Sequence, residues 1–259
     1  GMNLNAYGVG PEANREWLIV DVGVTFGDLS TPGVDVIVPD PTFLEGENIK
    51  GIVLTHAHED HIGALGHLWP KLKKPVYARR FTATIGRLKF EEQGLPVDQI
   101  HTVASRPETV EVGPFKVQFL PLAHSIPESA GLVIDTPAGR IVHTGDFKRD
   151  PTPIVGEPWD DAVMEAVAAE VPVKAMMCDS TNVFVEGSAG SEGGVRNALI
   201  ELIGGLKGRI AVGCFASNVA RMDSVIRAAE AAGRISTLAF DSGQAVTPGQ
   251  LLVQLNDAP

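Results

Sequence analysis

The stretch Gly51-Ile52-Val53-Leu54-Thr55-His56-Ala57-His58-Glu59-Asp60-His61 sets an apolar run directly against four candidate metal ligands, His56, His58, Asp60 and His61. The apolar run reads as a strand, and Ile62-Gly63-Ala64-Leu65 opens the next element, so the ligands occupy a strand-to-helix turn. Imidazole nitrogen and carboxylate oxygen are donors that Zn²⁺ takes readily, and one turn can fold them around two adjacent ions. A turn at a strand end is held by the sheet yet open to substrate. The competing reading is a polar surface turn rich in histidine. Three of the chain's seven histidines fall in this hexad, which weighs against it.

A two-metal site needs donors from other strand ends. His124 follows Gln118-Phe119-Leu120-Pro121-Leu122-Ala123, and Asp146 follows Arg140-Ile141-Val142-His143-Thr144-Gly145. An aspartate can bridge two cations with its two oxygens, whereas a neutral histidine cannot. Asp146 is therefore the expected bridge, with His56, His58 and His124 on one ion and Asp60 and His61 on the other. Such a pair would lower the pKa of a shared water, supply hydroxide at neutral pH and clamp the attacking and leaving oxygens of a displacement. Glu59 points between the ligands, toward solvent or the surrounding shell. Asp21, at a strand end, is either the acceptor of a ligand histidine's second N–H or an ordinary turn residue. His143 reads as a satisfied core histidine, and His67 and His101 have no supporting pattern.

The 259 residues allow one large domain, or one domain and part of a second. With 44% hydrophobic and 20% charged residues the composition is that of an ordinary globular protein. No stretch approaches the roughly 18 apolar residues of a membrane span. The start, Gly1-Met2-Asn3-Leu4-Asn5, lacks the basic and apolar regions of a signal peptide. Two cysteines, Cys178 and Cys214, give no disulfide framework and read as buried free thiols. A cytoplasmic protein with no membrane association is expected. The net charge of −11 argues against a general polyanion-binding surface, although Lys71, Lys73, Lys74, Arg79, Arg80, Arg87 and Lys89 run the other way. That basic segment is either a solvated helix face or a nucleic-acid contact.

Along the chain, strands are expected at Trp17 to Asp21, Gly51 to Thr55 and Pro75 to Ala78, with helices over residues 62–72 and Thr82 to Gln93. Hairpins follow around Gly113-Pro114 (Thr109 to Val112 with Phe115 to Leu122) and around Thr136 to Gly139 (Leu132 to Asp135 with Arg140 to His143). After Pro158 come a helix (Asp160 to Glu170), a buried strand (Val173 to Cys178), a Gly/Ser loop, a helix (Val195 to Leu206), a strand (Arg209 to Phe215) and a helix (Val219 to Ala232). Hairpins mixed with helices suggest sheets covered by helices, and a second unit is expected to begin near residue 175.

These residues resemble a known family. His56-Ala57-His58-Glu59-Asp60-His61, His124 and Thr144-Gly145-Asp146 look like the ligand set of the metallo-β-lactamase superfamily. Asp21-Val22-Gly23-Val24-Thr25-Phe26, Cys178-Asp179-Ser180-Thr181-Asn182-Val183 and Cys214-Phe215-Ala216-Ser217-Asn218 resemble the bacterial ribonuclease J family of its β-CASP subgroup, as does Met2-Asn3-Leu4-Asn5-Ala6-Tyr7-Gly8. The resemblance runs from residue 1 to about residue 234. It implies an incomplete αββα sandwich over 1–174, the start of an inserted β-CASP domain over 175–234, and two zinc ions, or Mn²⁺ in their place. It further implies hydrolysis of RNA phosphodiester bonds, both endonucleolytic and 5′-to-3′ exonucleolytic, with Asp60, His61 and Asp179 as catalytic residues. Asp179 matches the acidic residue of the first β-CASP motif. The family's later histidine motifs have no counterpart after residue 234, and 235–259 reads only as a hairpin tail, so a fragment of such an enzyme, or a junction in one, is expected. The partners implied are RNA and a second copy or a related ribonuclease subunit. Two other functions stay open: a metallo-β-lactamase-fold hydrolase of small molecules, and a non-catalytic zinc-binding fragment.

Overall fold

A computed structural model describes residues 1–233 and the backbone of two short strands beyond them, Ile235–Leu238 and Val253–Leu255. In chain order the strands are β1 (Asn5–Val9), β2 (Glu16–Val20), a small antiparallel pair β3 (Thr25–Phe26) and β4 (Val36–Ile37), β5 (Asn48–Leu54), β6 (Val76–Ala78), β7 (Ile100–Thr102), β8 (Val110–Val112), β9 (Phe115–Pro121), β10 (Ala130–Thr136), β11 (Gly139–His143), β12 (Val173–Met177), β13 (Ile235–Leu238) and β14 (Val253–Leu255). The α-helices are α1 (Glu59–Ile62), α2 (Leu65–Leu72), α3 (Arg80–Glu92), α4 (Asp161–Glu170), α5 (Glu192–Gly205) and α6 (Val219–Ala231). Contacts divide the chain into two compact units with interleaved segments. The first comprises Gly1–Leu122, Glu128–Phe147 and Asp160–Thr181, and the second Ala123–Pro127, Lys148–Trp159 and Asn182–Pro259.

Two five-stranded sheets build the first unit, in the orders β1-β2-β5-β6-β7 and β12-β11-β10-β9-β8. From β2 to β7 the first sheet is parallel, with β1 antiparallel at its edge. The second is antiparallel except for the β11–β12 pair. Successive side chains of a strand point to opposite faces, and β2 uses both. Leu18 and Val20, with Val53, pack against Phe115, Val117, Phe119, Leu132 and Ile134 of the second sheet. Ile19, with Ile52 and Leu54, packs on the other side against Leu65, Leu68 and Trp69 of α2 and Ala83 and Phe90 of α3. Burial on both faces is what makes the parallel strands continuously apolar. On the far side of the second sheet, Arg140 Nη1 donates to the Val167 carbonyl of α4 at 2.7 Å, and Arg140 pairs with Asp135 and Glu170. The layers are thus helix, sheet, sheet, helix, the expected αββα order.

In the second unit α5 and α6 pack through Ile203, Ala220, Ser224 and Ala228, all buried. Arg221 of α6 donates to Glu192 of α5 at 2.8 Å, and Arg196 pairs with Asp223. The strands β13 and β14 pair antiparallel, and the rest of the tail reading over 235–259 lies outside the described residues.

Several sequence expectations need correcting. The helix over 62–72 is two helices, and the first starts at Glu59, inside the histidine hexad. Val173 to Met177 is a strand but not a buried one: β12 is the sheet's edge, and all five residues are exposed. No strand forms over 209–215. Cys178 and Cys214, read as buried thiols, are both exposed, because one follows that edge strand and the other lies in a loop before α6. Apolar content stood in for burial at these places, and neighbouring layers decide burial. Among the described residues no helix is long and apolar enough to cross a membrane.

Candidate metal centre

The histidine turn is held from behind by the end of β2. Asp21, just past that strand, is fully buried and adopts φ 62°, a left-handed conformation that aspartate tolerates better than most residues. Its Oδ1 accepts the Thr55 N–H at 2.8 Å, and its Oδ2 accepts the Thr55 hydroxyl and lies against His61 Nδ1, both at 2.8 Å. One carboxylate therefore ties Thr55, just past the end of β5, to the ring of His61 in α1. The next residues grip α1 through the backbone: the Val22 and Val24 N–H groups donate to the His61 and Glu59 carbonyls at 2.8 and 2.9 Å. Gly23 is required between them, since a Cβ there would stand 1.6 Å from the Asp60 carbonyl oxygen.

Held this way, the candidate ligand side chains converge. His56 is buried, with Nδ1 3.0 Å from the Thr55 hydroxyl and Nε2 3.1 Å from His58 Nδ1. The His56 and His61 ring centroids are 4.0 Å apart. Nε2 of His61 lies 3.3 Å from Asp146 Oδ1 and 3.7 Å from Asp60 Oδ2. The donor atoms of Asp60, His61 and Asp146 all lie within 4.8 Å of one another, and so do those of His56, His58 and Asp146. Asp146 is common to both groups. It reaches the turn through Gly145, whose φ of 56° suits glycine and whose missing Cβ would crowd Thr55 and the Ala130 carbonyl at 3.2 Å.

His124 lies three residues beyond the end of β9, in the Ala123–Pro127 segment of the second unit. Asp179 lines the same cavity of about 260 Å³ as Asp60, His61 and Asp146. Its N–H donates to the Thr144 hydroxyl at 3.0 Å, and its Oδ1 accepts the Thr181 N–H at 2.8 Å. Glu59 points away from the cluster and binds Lys89 Nζ at 2.8 and 2.9 Å. Much of the basic segment is engaged locally: Arg79 with Glu128, Lys71 with Glu45, and Arg87 with the Ile100 carbonyl.

The field in this pocket favours a cation. Burial alone would lower the pKa of His61, yet the Asp21 charge and the hydrogen bonds and charge of Asp146 outweigh it and push the value up to about 10. The carboxylates around the ring thus favour positive charge at this point of the cavity. Asn3 Nδ2 lies 3.1 Å from His61 Nε2, beside the ring on the cavity side. Two carboxylates and three imidazoles with converging donor atoms are a set that Zn²⁺ or Mn²⁺ fits.

Sequence reading left Asn3 out, although its Nδ2 donates to the Asp60 carbonyl at 3.1 Å. It also left out Tyr7, whose hydroxyl meets His143 Nδ1 at 2.7 Å across 136 positions of chain. No local pattern announces such long-range partners.

Comparison with known proteins identifies the family. The profile described as "Metallo-beta-lactamase superfamily" matches residues 5–209. Ribonuclease J of Sinorhizobium meliloti is 45% identical over 240 residues, covering 90% of this chain and 42% of that protein. Ribonuclease J of Thermus thermophilus is 40% identical over 228 residues, covering 85% and 40%. The chain therefore spans about two fifths of the length of these relatives. A solved protein of unknown function from Enterococcus faecalis V583 superposes with a TM-score of 0.59 at 18% identity, covering 87% of this chain and 60% of that one, and shares the fold. A profile match over so much of the sequence settles the family: the chain is a member of the metallo-beta-lactamase superfamily.

Proposed function

We propose that this chain carries the metal centre of an RNA phosphodiesterase. The observation that carries the reading is the convergence of Asp60, His61 and Asp146 donor atoms within 4.8 Å, around a ring that Asp21 orients from behind. The 34–45% identity to ribonuclease J proteins supplies the substrate class. In this reading His56, His58 and His124 would hold one ion and Asp60 and His61 the other, with Asp146 common to both sets. His124 belongs to the set because it stands just past the end of β9, as His56 stands just past β5. The ions are zinc, with Mn²⁺ able to replace it; when bound they acidify water and offset phosphate charge. Asp21 fixes the His61 tautomer by taking its Nδ1–H, which leaves Nε2 as the ligand atom. Asp179, in the cavity wall with Oδ1 also accepting the Thr181 N–H, offers its carboxylate for proton transfer. Residues from about 175 onward begin a β-CASP domain. The protein acts in the cytoplasm on RNA, endonucleolytically and from the 5′ end, as a homo-oligomer or beside a related ribonuclease subunit.

The test is hydrolysis of 5′-monophosphorylated RNA with added Zn²⁺ or Mn²⁺, set against Asp60→Ala. Metal-dependent cleavage that the substitution abolishes is expected. Cleavage that survives it overturns the mechanism, and stoichiometric zinc binding without turnover identifies a non-catalytic metal-binding chain instead.

A further inference from the structure

His143 lies at the end of β11 and takes no part in the ligand sets above. It is only 4% exposed, yet it lines the cavity that holds Asp60, His61, Asp146 and Asp179. Its Nδ1 is engaged by the Tyr7 hydroxyl at 2.7 Å, with the two rings edge to face. With Nδ1 engaged by Tyr7 and the ring lining the cavity, Nε2 is the ring nitrogen left to meet a ligand there.

The Tyr7 hydroxyl, as donor or acceptor at Nδ1, sets which tautomer the ring holds. Burial, and secondarily the Asp21 charge, push the Tyr7 hydroxyl up to about 12, so it keeps its proton and can donate it. Burial also holds His143 below the usual histidine range, so the ring is uncharged at neutral pH and carries one proton. If Tyr7 donates to Nδ1, that single proton sits on Nε2, and an N–H points into a cavity walled by carboxylates. A phosphodiester entering such a wall needs donors to offset the acidic side chains.

We infer that His143 is a substrate-binding residue whose Nε2–H donates to a non-bridging phosphate oxygen of the bound RNA, with Tyr7 as the positioning residue that fixes its tautomer. The inference rests on the phosphodiesterase reading and adds a contact to it.

Ring ¹⁵N shifts of His143 in the zinc-loaded protein test the tautomer without any substrate. A protonated Nε2 is expected, with Tyr7→Phe giving a mixture of the two tautomers; a protonated Nδ1 in the unsubstituted protein overturns the inference. Binding of a short 5′-phosphorylated oligouridine to the zinc-loaded chain tests the contact. His143→Phe should weaken it about tenfold to a hundredfold, the range for one hydrogen bond to a charged group, while His143→Gln, which keeps an N–H donor, should recover most of the loss. Should His143→Phe fail to fold, Tyr7→Phe carries the comparison, with binding weaker than that of the unsubstituted protein expected. Equal oligouridine binding by the unsubstituted protein and folded His143→Phe, or Tyr7→Phe in its place, overturns the role of His143 alone. Zinc binding with no oligouridine binding in the unsubstituted protein overturns the phosphodiesterase reading and this inference with it.

Discussion

Asp21 and Asp150 are both buried carboxylates, 0% and 1% exposed, and each organises a loop in its own unit. Their partners differ in kind. Asp21 accepts from Thr55 twice and faces the ring of His61, so its charge acts on a titratable group in a cavity. Asp150 accepts the Thr152 and Glu192 N–H groups at 2.9 and 2.7 Å, with Lys148 Nζ at 3.6 Å, so its charge closes a loop onto the start of α5. Equal burial does not mean equal purpose. The partner decides whether a buried charge supports chemistry or only architecture, and mutations separate the two.

The largest effect is expected at Asp21. Asp21→Ala leaves the Thr55 N–H and the His61 ring without an acceptor, and breaking a buried pair in this way costs about 3–5 kcal/mol. Denaturant titration of the metal-free chain measures it. Zinc affinity by calorimetry should fall about 10–100-fold, since the ligand ring loses its orienting acceptor. Unchanged zinc affinity would break the comparison, making Asp21 as purely architectural as Asp150.

Asp150→Ala comes next, at about 2 kcal/mol, because two N–H groups are left unpaired. Zinc affinity and stoichiometry should not move. A loss of zinc binding in this variant would mean that the distinction between the two carboxylates is false.

The pH dependence of Asp150 sharpens the same point. Burial would raise its carboxyl, but the N–H groups of Glu192 and Thr152, the Ser191 hydroxyl and Lys148 together hold it below the usual carboxylate range. A depressed native pKa means that the ionised form is the one the fold favours. Its contribution is complete above the unfolded value of about 3.9 and is lost as pH falls through the lower native value. The stability gap between the natural chain and Asp150→Asn should therefore be flat from pH 6 down to about 4 and shrink below that. A gap that instead shrinks on raising the pH from 4 to 7 contradicts the sign.

The histidine hexad, the β8–β9 and β10–β11 hairpins and the helices α3, α4 and α6 were legible because their signals are local: donor spacing, turn residues, apolar period. The acceptor role of Asp21 was legible as one of two readings, since a strand-end acid suits either. What stayed hidden depends on layers that meet in space. The edge strand β12 exposes Met176 and Met177 at 61% and 47% although its text is as apolar as that of buried β5. Asn3 lines the cavity beside His61 and Tyr7 of β1 meets His143 behind it, and no sequence pattern ties either to its partner. Residue type announced the candidate ligands, and only tertiary pairing identified the groups that surround them.

Glu59 supplies the smallest and most discriminating contrast, since it sits between Asp60 and His58 yet bonds outward to Lys89. Its side chain is 46% exposed and that of Lys89 21%, so the pair is well solvated and worth about 0.5 kcal/mol in a double-mutant cycle. Glu59→Gln should leave zinc affinity within about twofold of the natural chain, because a carboxylate that points away from the cluster contributes only a weak, screened field there. Its neighbour Asp60, one residue along α1, should behave in the opposite way, losing metal with little loss of fold. A drop in zinc affinity for Glu59→Gln comparable to that for Asp60→Ala would mean that the turn rearranges on metal binding and that the outward contact to Lys89 belongs to the metal-free chain alone.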